Sequence, residues 1–256
     1  MSEFLPDTII DRLRRAEALT VLTGAGISAE SGIPTFRAAQ TGLWRNYDPT
    51  ELATPQAFMR NPRLVWNWYS YRRKIASEAE PNPAHYALVD LEEYLPRFTL
   101  ITQNVDGLHW RAGSRSMLEL HGNLSRVRCF DCATYADIWE EDEENGPPLC
   151  AACGGFLRPD VLWFGEGLPS RELGLAYQAA QSCDVFLCIG TSAMVQPAAS
   201  LPLMALRKGA LVIEIDLEDT ALSDMVHYSL HGSAGTLLPQ LTEIILAGGR
   251  TREENV

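Results

Sequence analysis

Short apolar runs alternate with helical patterns along most of this chain, and that alternation limits its fold more than any other feature. The runs are residues 18–22, 98–102, 161–164, 185–189 and 211–215, and helical periods fill 84–95, 171–181 and 197–208. Parallel strands need a long crossover between them, which a helix supplies. The pattern therefore predicts an α/β fold: a Rossmann-like, doubly wound parallel sheet covered on both faces. Two stretches interrupt it. Residues 38–83 are rich in Trp, Tyr and Arg and helical in period, while residues 126–158 hold four paired cysteines and the acidic run 140–144. Both read as insertions. The expected division is a large domain of residues 1–37, 84–125 and 159–250, and a small domain formed by a helical module (38–83) and a cysteine module (126–158).

Composition removes several function classes. The chain has 256 residues, of which 46% are hydrophobic, enough for a sizeable core. Its net charge of -12 argues against a general nucleic-acid binder, which needs clustered Lys and Arg. No apolar run nears the roughly 20 residues of a membrane helix. Residues 1–17 carry acids among their arginines and read as a surface helix rather than a signal peptide. The expectation is a cytoplasmic monomer that binds neither nucleic acid nor membrane.

Four of the six cysteines form the pairs Cys129-x-x-Cys132 and Cys150-x-x-Cys153, spaced as in zinc ribbons. Four thiolates complete a tetrahedron around Zn²⁺ and leave no open position, so one structural zinc is expected. It would fold an insertion too small to bury its own core. Cys183 and Cys188 flank an apolar strand and read as small buried hydrophobes.

Directly after the first apolar run, Gly24-Ala25-Gly26-Ile27-Ser28-Ala29 satisfies G-x-G-x-x-A. Such glycines permit a tight turn and a close approach of backbone to a pyrophosphate. Alone, the pattern fits a structural turn as readily as a nucleotide site, and the acidic residue expected about 20 residues on is not evident. Gly190-Thr191-Ser192 and Asp216-Leu217-Glu218 follow two other runs. In an open parallel sheet all three turns face one crevice, where Asp216 can bind ribose hydroxyls or simply cap its strand. At another strand end, Thr102-Gln103-Asn104-Val105-Asp106 offers a carboxamide and a carboxylate suited to reading nicotinamide. His121, before Gly122, titrates near neutrality and suits a general base, although a lone histidine is more often structural.

In this order, Leu22 to Ser28, Gly32-Ile33-Pro34-Thr35-Phe36-Arg37, Thr102 to Asp106, His121-Gly122, the cysteine pairs and Gly190-Thr191-Ser192 resemble the motifs of sirtuins, over nearly the whole chain and with little length beyond the core, as in many bacterial members. The resemblance implies NAD bound between the two domains. It implies that Gly24, Ala25, Gly26, Ser28, Glu30, Thr35, Phe36, Arg37, Trp44, Gln103, Asn104, Asp106, Gly190, Thr191, Ser192, Asp216, Leu217, Glu218 and Ala234 contribute to that site. His121 would be the general base, and Phe36 would shield the reacting ribose from water. The segment Val161, Leu162, Trp163, Phe164, Gly165, Glu166 resembles the one that pairs with substrate, so an acylated lysine would enter on an extended peptide added as a strand. The implied reaction expels nicotinamide, frees the lysine and moves the acyl group to ADP-ribose. Asp216 departs from the Asn of many members, though both accept from ribose hydroxyls.

Tyr69 and Arg72 lie at i and i+3, on one helix face. A guanidinium grips a carboxylate through two hydrogen bonds and a phenol adds a third. The pair resembles the Y-x-x-R signature of class III sirtuins, which favour succinyl- and malonyl-lysine, and Ala53 resembles the small residue that widens their acyl pocket. The plainer account of Arg72-Arg73-Lys74 is a solvated basic face. The expectation is a desuccinylase and demalonylase with weaker deacetylase activity. Beside it stand an ADP-ribosyltransferase, a plain deacetylase, and a non-enzymatic module that senses NAD or ADP-ribose.

Overall fold

The computed structural model describes residues 5–35, 48–140 and 144–248. Helix α1 (Asp7–Arg15) leads into β1 (Ala18–Thr23), which runs straight into a 3₁₀ turn, Ala25–Ser31. A helical stretch follows: α2 (Pro49–Leu52), α3 (Pro55–Arg60), α4 (Pro62–Glu78) and α5 (Pro83–Tyr94). Its starts are written in sequence. Thr54, Asn61 and Asn82 each precede a proline, and each side chain accepts a backbone N–H of the helix it opens. Then come β2 (Arg97–Thr102), α6 (Leu108–Ala112), β3 (Met117–Glu119), β4 (Gly122–Cys129), β5 (Tyr135–Ala136) and β6 (Leu157–Val161). The chain ends with α7 (Ser170–Ser182), β7 (Val185–Ile189), α8 (Leu201–Arg207), β8 (Leu211–Asp216), β9 (Tyr228–His231) and α9 (Ala234–Leu246).

Six strands form a wholly parallel sheet in the order β3-β2-β1-β7-β8-β9. Counted within that sheet the order is 3-2-1-4-5-6, with its reversal between β1 and β7, the position where such sheets bind ligands. Alternate residues feed two cores. Leu100, Val21, Leu187 and Ile213 lie in register across four strands and pack with α1, α5 and α9. The next row, Ile101, Leu22 and Cys188, packs on the other face with Ala176, Ala180, Leu201 and Ala205 of α7 and α8. Both faces are covered, so the strands read as continuous apolar runs.

One expected strand is placed differently. Residues 161–164 were read as a run of the parallel sheet, but the strand is β6, and it pairs antiparallel with β4 in a second sheet of order β5-β4-β6. Hydropathy misplaces it because Arg158, Pro159 and Asp160 look like a loop. All five residues of β6 are buried, and the two charges have partners: Arg158 pairs with Glu166, Asp160 with Arg126 and Arg128. Strands β4 and β6 also run across the borders expected at 125/126 and 158/159. Among the described residues no helix is long and apolar enough to cross a membrane.

Candidate active site

The glycine turns after β1 and β7 interlock at the reversal of the sheet. Gly24 N donates to Ile189 O at 3.0 Å and Gly26 N to Gly190 O at 2.8 Å. A Cβ on Gly26 would sit 2.6 Å from Gly190 Cα, and one on Gly190, where φ is +60°, would strike the Ile27 backbone. Only glycine fits these positions. From β8, Ile215 O accepts Gly190 N at 2.9 Å, and the Asp216 carboxylate takes the Leu217 N–H at 2.8 Å. Burial pushes the Asp216 carboxyl up. Thr191 accepts from the Gln103 amide at 3.0 Å, while Ser192, Leu217 and Glu218 are exposed.

Beside this crevice, Ser28 is fully buried on the 3₁₀ turn. Its hydroxyl accepts from Asn104 Nδ2 at 3.1 Å and donates to Asp106 Oδ2 at 2.8 Å, and Leu108 N donates to Asp106 Oδ1 at 2.9 Å. Burial raises the Asp106 carboxyl, outweighing those donors and the nearby Arg72 and Arg111. His121 stands in the two-residue joint between β3 and β4. Its Nδ1 is 3.1 Å from Gln103 O. A carbonyl only accepts, so Nδ1 carries the proton and Nε2 keeps its lone pair. Burial lowers the His121 pKa, more than the carbonyl raises it, which leaves the ring neutral at pH 7. A neutral imidazole held on the Gln103 carbonyl can take a proton from a bound hydroxyl.

The four paired cysteines converge. Their sulfurs all lie within 4.8 Å of one another, with Cys129–Cys153 and Cys132–Cys153 at 3.4 Å and Cys132–Cys150 at 3.8 Å. Tetrahedral Zn–S bonds of ~2.3 Å place sulfurs about 3.8 Å apart, so the cluster fits zinc and not a disulfide. Each pair closes in a left-handed residue, Ala133 (φ 59°) and Gly154 (φ 76°), which turns its two sulfurs to one side. Cys183 and Cys188 belong to the core face of α7 and α8, and burial raises both thiols.

Ala53, Tyr69, Val161 and Trp163 share one apolar cluster between α4 and β6. Phe164 N donates to Ala53 O at 2.8 Å, which ties the segment after β6 to the helical stretch. Tyr69 is buried, and its Oη accepts the Trp163 indole N–H at 3.0 Å. Burial pushes the phenol up to about 12, so it stays protonated. The Arg72 guanidinium lies 4.8 Å from the Trp68 ring centre and 5.4 Å from that of Tyr69. Burial pulls its pKa down, while the Asp106 carboxylate acts in the opposite direction. Arg72 is therefore a half-buried cation on an aromatic wall, not part of a solvated basic face.

Comparison with known proteins decides the family. Over 246 residues the chain is 49% identical to the NAD-dependent protein deacylase of Methylococcus capsulatus, covering 93% of this chain and 96% of that one. Residues 24–197 match the Sir2 family model. The chain belongs to the Sir2 family. Its fold superposes with a TM-score of 0.90 on a Sir2 homologue crystallised with NAD, at 44% identity and 96% coverage of both chains. A mutated Sir2 homologue complexed with 2′-O-acetyl ADP ribose gives 0.90 at 43%, covering 97% of this chain and 100% of the other.

Within this Sir2 fold, two acids expected at the ligand sites have partners in the protein. Glu30 accepts the Gly235 N–H at 2.6 Å, at the start of α9 and beside buried Ala234. Glu166 accepts from Arg158 at 2.5 and 3.0 Å and from the Trp163 backbone N–H at 2.7 Å. Thr35 is half-buried at the edge of the described chain, and Phe36, Arg37 and Trp44 lie outside the described residues. No motif in the sequence marks Arg158, whose guanidinium carbon lies 3.3 Å from the Trp163 ring centre. The same holds for Glu214, buried on β8, which takes the hydroxyls of Thr220, Ser223 and Ser229 and so fixes the loop after Asp216. Both are charges inside strands, and no motif in the sequence marks their pairings.

Proposed function

We propose that this Sir2-family chain removes acyl groups from protein lysines with NAD as co-substrate, preferring succinyl and malonyl to acetyl. The observation that carries the reading is His121, neutral and with Nε2 as its lone-pair nitrogen, held on the carbonyl of Gln103, the residue before Asn104 of the Ser28–Asn104–Asp106 cluster. Bound NAD supplies an electrophilic ribose carbon that releases nicotinamide and carries the acyl group away. The chain's own residues do the rest. Gly24, Ala25, Gly26, Gly190, Thr191 and Ser192 receive the pyrophosphate side, Asp216 accepts from ribose hydroxyls, and Gln103, Asn104 and Asp106 read the nicotinamide end. His121 takes a ribose hydroxyl proton on Nε2 and returns it later. Phe36, Arg37 and Trp44 keep the roles that the family resemblance implies.

The substrate side has support of its own. Among the described residues β6 stands at one edge of the sheet β5-β4-β6, and the chain continues from it through Gly165 at φ 90°. An extended acyl-lysine peptide added along 161–166 would be held mainly by backbone bonds. Its acyl group would enter beside Ala53, where Arg72 and Tyr69 hold a carboxylate that acetyl lacks. We place the protein in the cytoplasm as a monomer, with one structural zinc on Cys129, Cys132, Cys150 and Cys153, and divide its work between the large domain and a small domain of helical and zinc modules.

The test is kcat/KM on one peptide sequence bearing succinyl-, malonyl- or acetyl-lysine, at saturating NAD. We expect the acidic groups to lead. His121→Ala should lower all three on the order of 10²–10⁴-fold. Arg72→Met should cost the succinyl substrate roughly 10- to 100-fold. ADP-ribose appearing on protein, with no deacylated peptide, would instead mean a transferase, and NAD binding without His121-dependent turnover would mean a sensing module.

A further inference from the structure

Specificity for a negative acyl group needs donors aimed at it, and the Tyr69 hydroxyl can be either donor or acceptor. Trp163 removes the choice. An indole N–H only donates, so the 3.0 Å contact from Trp163 Nε1 makes Tyr69 Oη the acceptor. The phenol proton must then point away from Trp163. Among the described residues Trp163 is the hydroxyl's hydrogen-bond partner. The donated bond also polarises the phenol and strengthens its own O–H as a donor.

Trp163 is in turn held against movement. The Glu166 carboxylate accepts its backbone N–H, the Arg158 guanidinium sits over its ring, and Arg158 Nη2 donates to Val161 O at 2.7 Å. Phe58 packs 5.3 Å away by ring centres. An indole fixed this well is more than filler, because phenylalanine would fill most of the space without the N–H.

We infer that Trp163 is a specificity-determining residue: its indole N–H orders the Tyr69 hydroxyl as a donor towards a carboxylate-bearing acyl group. It acts through Tyr69 and so is a positioning residue. The inference rests on the acidic-acyl reading above.

The experiment measures the ratio of succinyl to acetyl kcat/KM, at saturating NAD, for the native protein and for Trp163→Phe, Tyr69→Phe, their double variant and Arg72→Met. A further protein carries β-(3-benzothienyl)alanine at position 163, which keeps the ring shape and replaces N–H with sulfur. We expect Trp163→Phe and the benzothienyl protein each to lower the ratio roughly three- to tenfold. The double variant should fall no further than Tyr69→Phe alone. If both indole replacements keep the native ratio while Arg72→Met collapses it, the role of Trp163 is wrong and the acyl reading stands. An equal loss on both substrates makes Trp163 purely structural and overturns the inference too. A native protein with no succinyl preference, unmoved by Arg72→Met, refutes the acyl reading itself. Should Trp163→Phe fail to fold, the benzothienyl protein decides.

Discussion

One hydroxyl joins two of the side chains assigned to the nicotinamide end. Ser28 accepts from Asn104 and donates to Asp106, so Ser28→Ala leaves a buried amide and a buried carboxylate each short of a partner. The expected cost is about 1–3 kcal/mol in stability, with the Asp106 carboxyl pushed further up and the KM for NAD raised. Urea unfolding and NAD titration of the rate check both. At Gly190 a left-handed φ coincides with the Ile27 backbone, so Gly190→Ala is expected to abolish NAD binding, read by calorimetry. All of these residues stand in motifs visible in sequence. Their contact was not visible, because Ser28 and Asp106 are 78 positions apart and the geometry exists only once β1 and β2 pair. The partners of Glu30 and Glu166 were likewise not visible, since Glu30 meets the Gly235 N–H 205 positions away.

Among elements, β6 adds the Arg158–Glu166 ion pair to the apolar burial of Leu157 and Val161. Breaking it with Arg158→Met leaves Glu166 without its cation, and we expect a loss of about 3–5 kcal/mol by urea unfolding. The zinc module depends on its metal instead. Cys132→Ala, or chelation of the native protein, should drop bound zinc from one equivalent towards none by elemental analysis and lower Tm together with activity. The helical stretch of α3, α4 and α5 was legible in its period, and the structure shows a cap and a proline opening each helix. Strand β6 was not, since hydropathy counts Arg158 and Asp160 as exposed and cannot see their partners. Strand β9, four residues with one fully buried, carried too little pattern to be noticed.

The whole molecule should be sensitive to acid. His85 on α5 and His109 on α6 face each other with ring centres 4.8 Å apart, both buried. Burial lowers His85 to about 4 and His109 well below its ordinary value. In the unfolded chain both titrate near 6.5, so below that pH the unfolded state binds more protons and stability falls with pH. From pH 7 to pH 5, His85 alone is expected to cost about 2 kcal/mol, seen as a lower urea midpoint. The order of the parallel sheet was implicit in the alternating runs, but the joint between the two sheets was not. Strand β3 ends at Glu119 and β4 begins at Gly122, whose φ is +78° and whose Cα lies against the Asp160 carbonyl. Leu120 is fixed in the large core, and His121 O accepts the Leu162 N–H from the small one. The backbone that carries the imidazole is thus tied to both sheets, so a change in the angle between them is expected to move the ring.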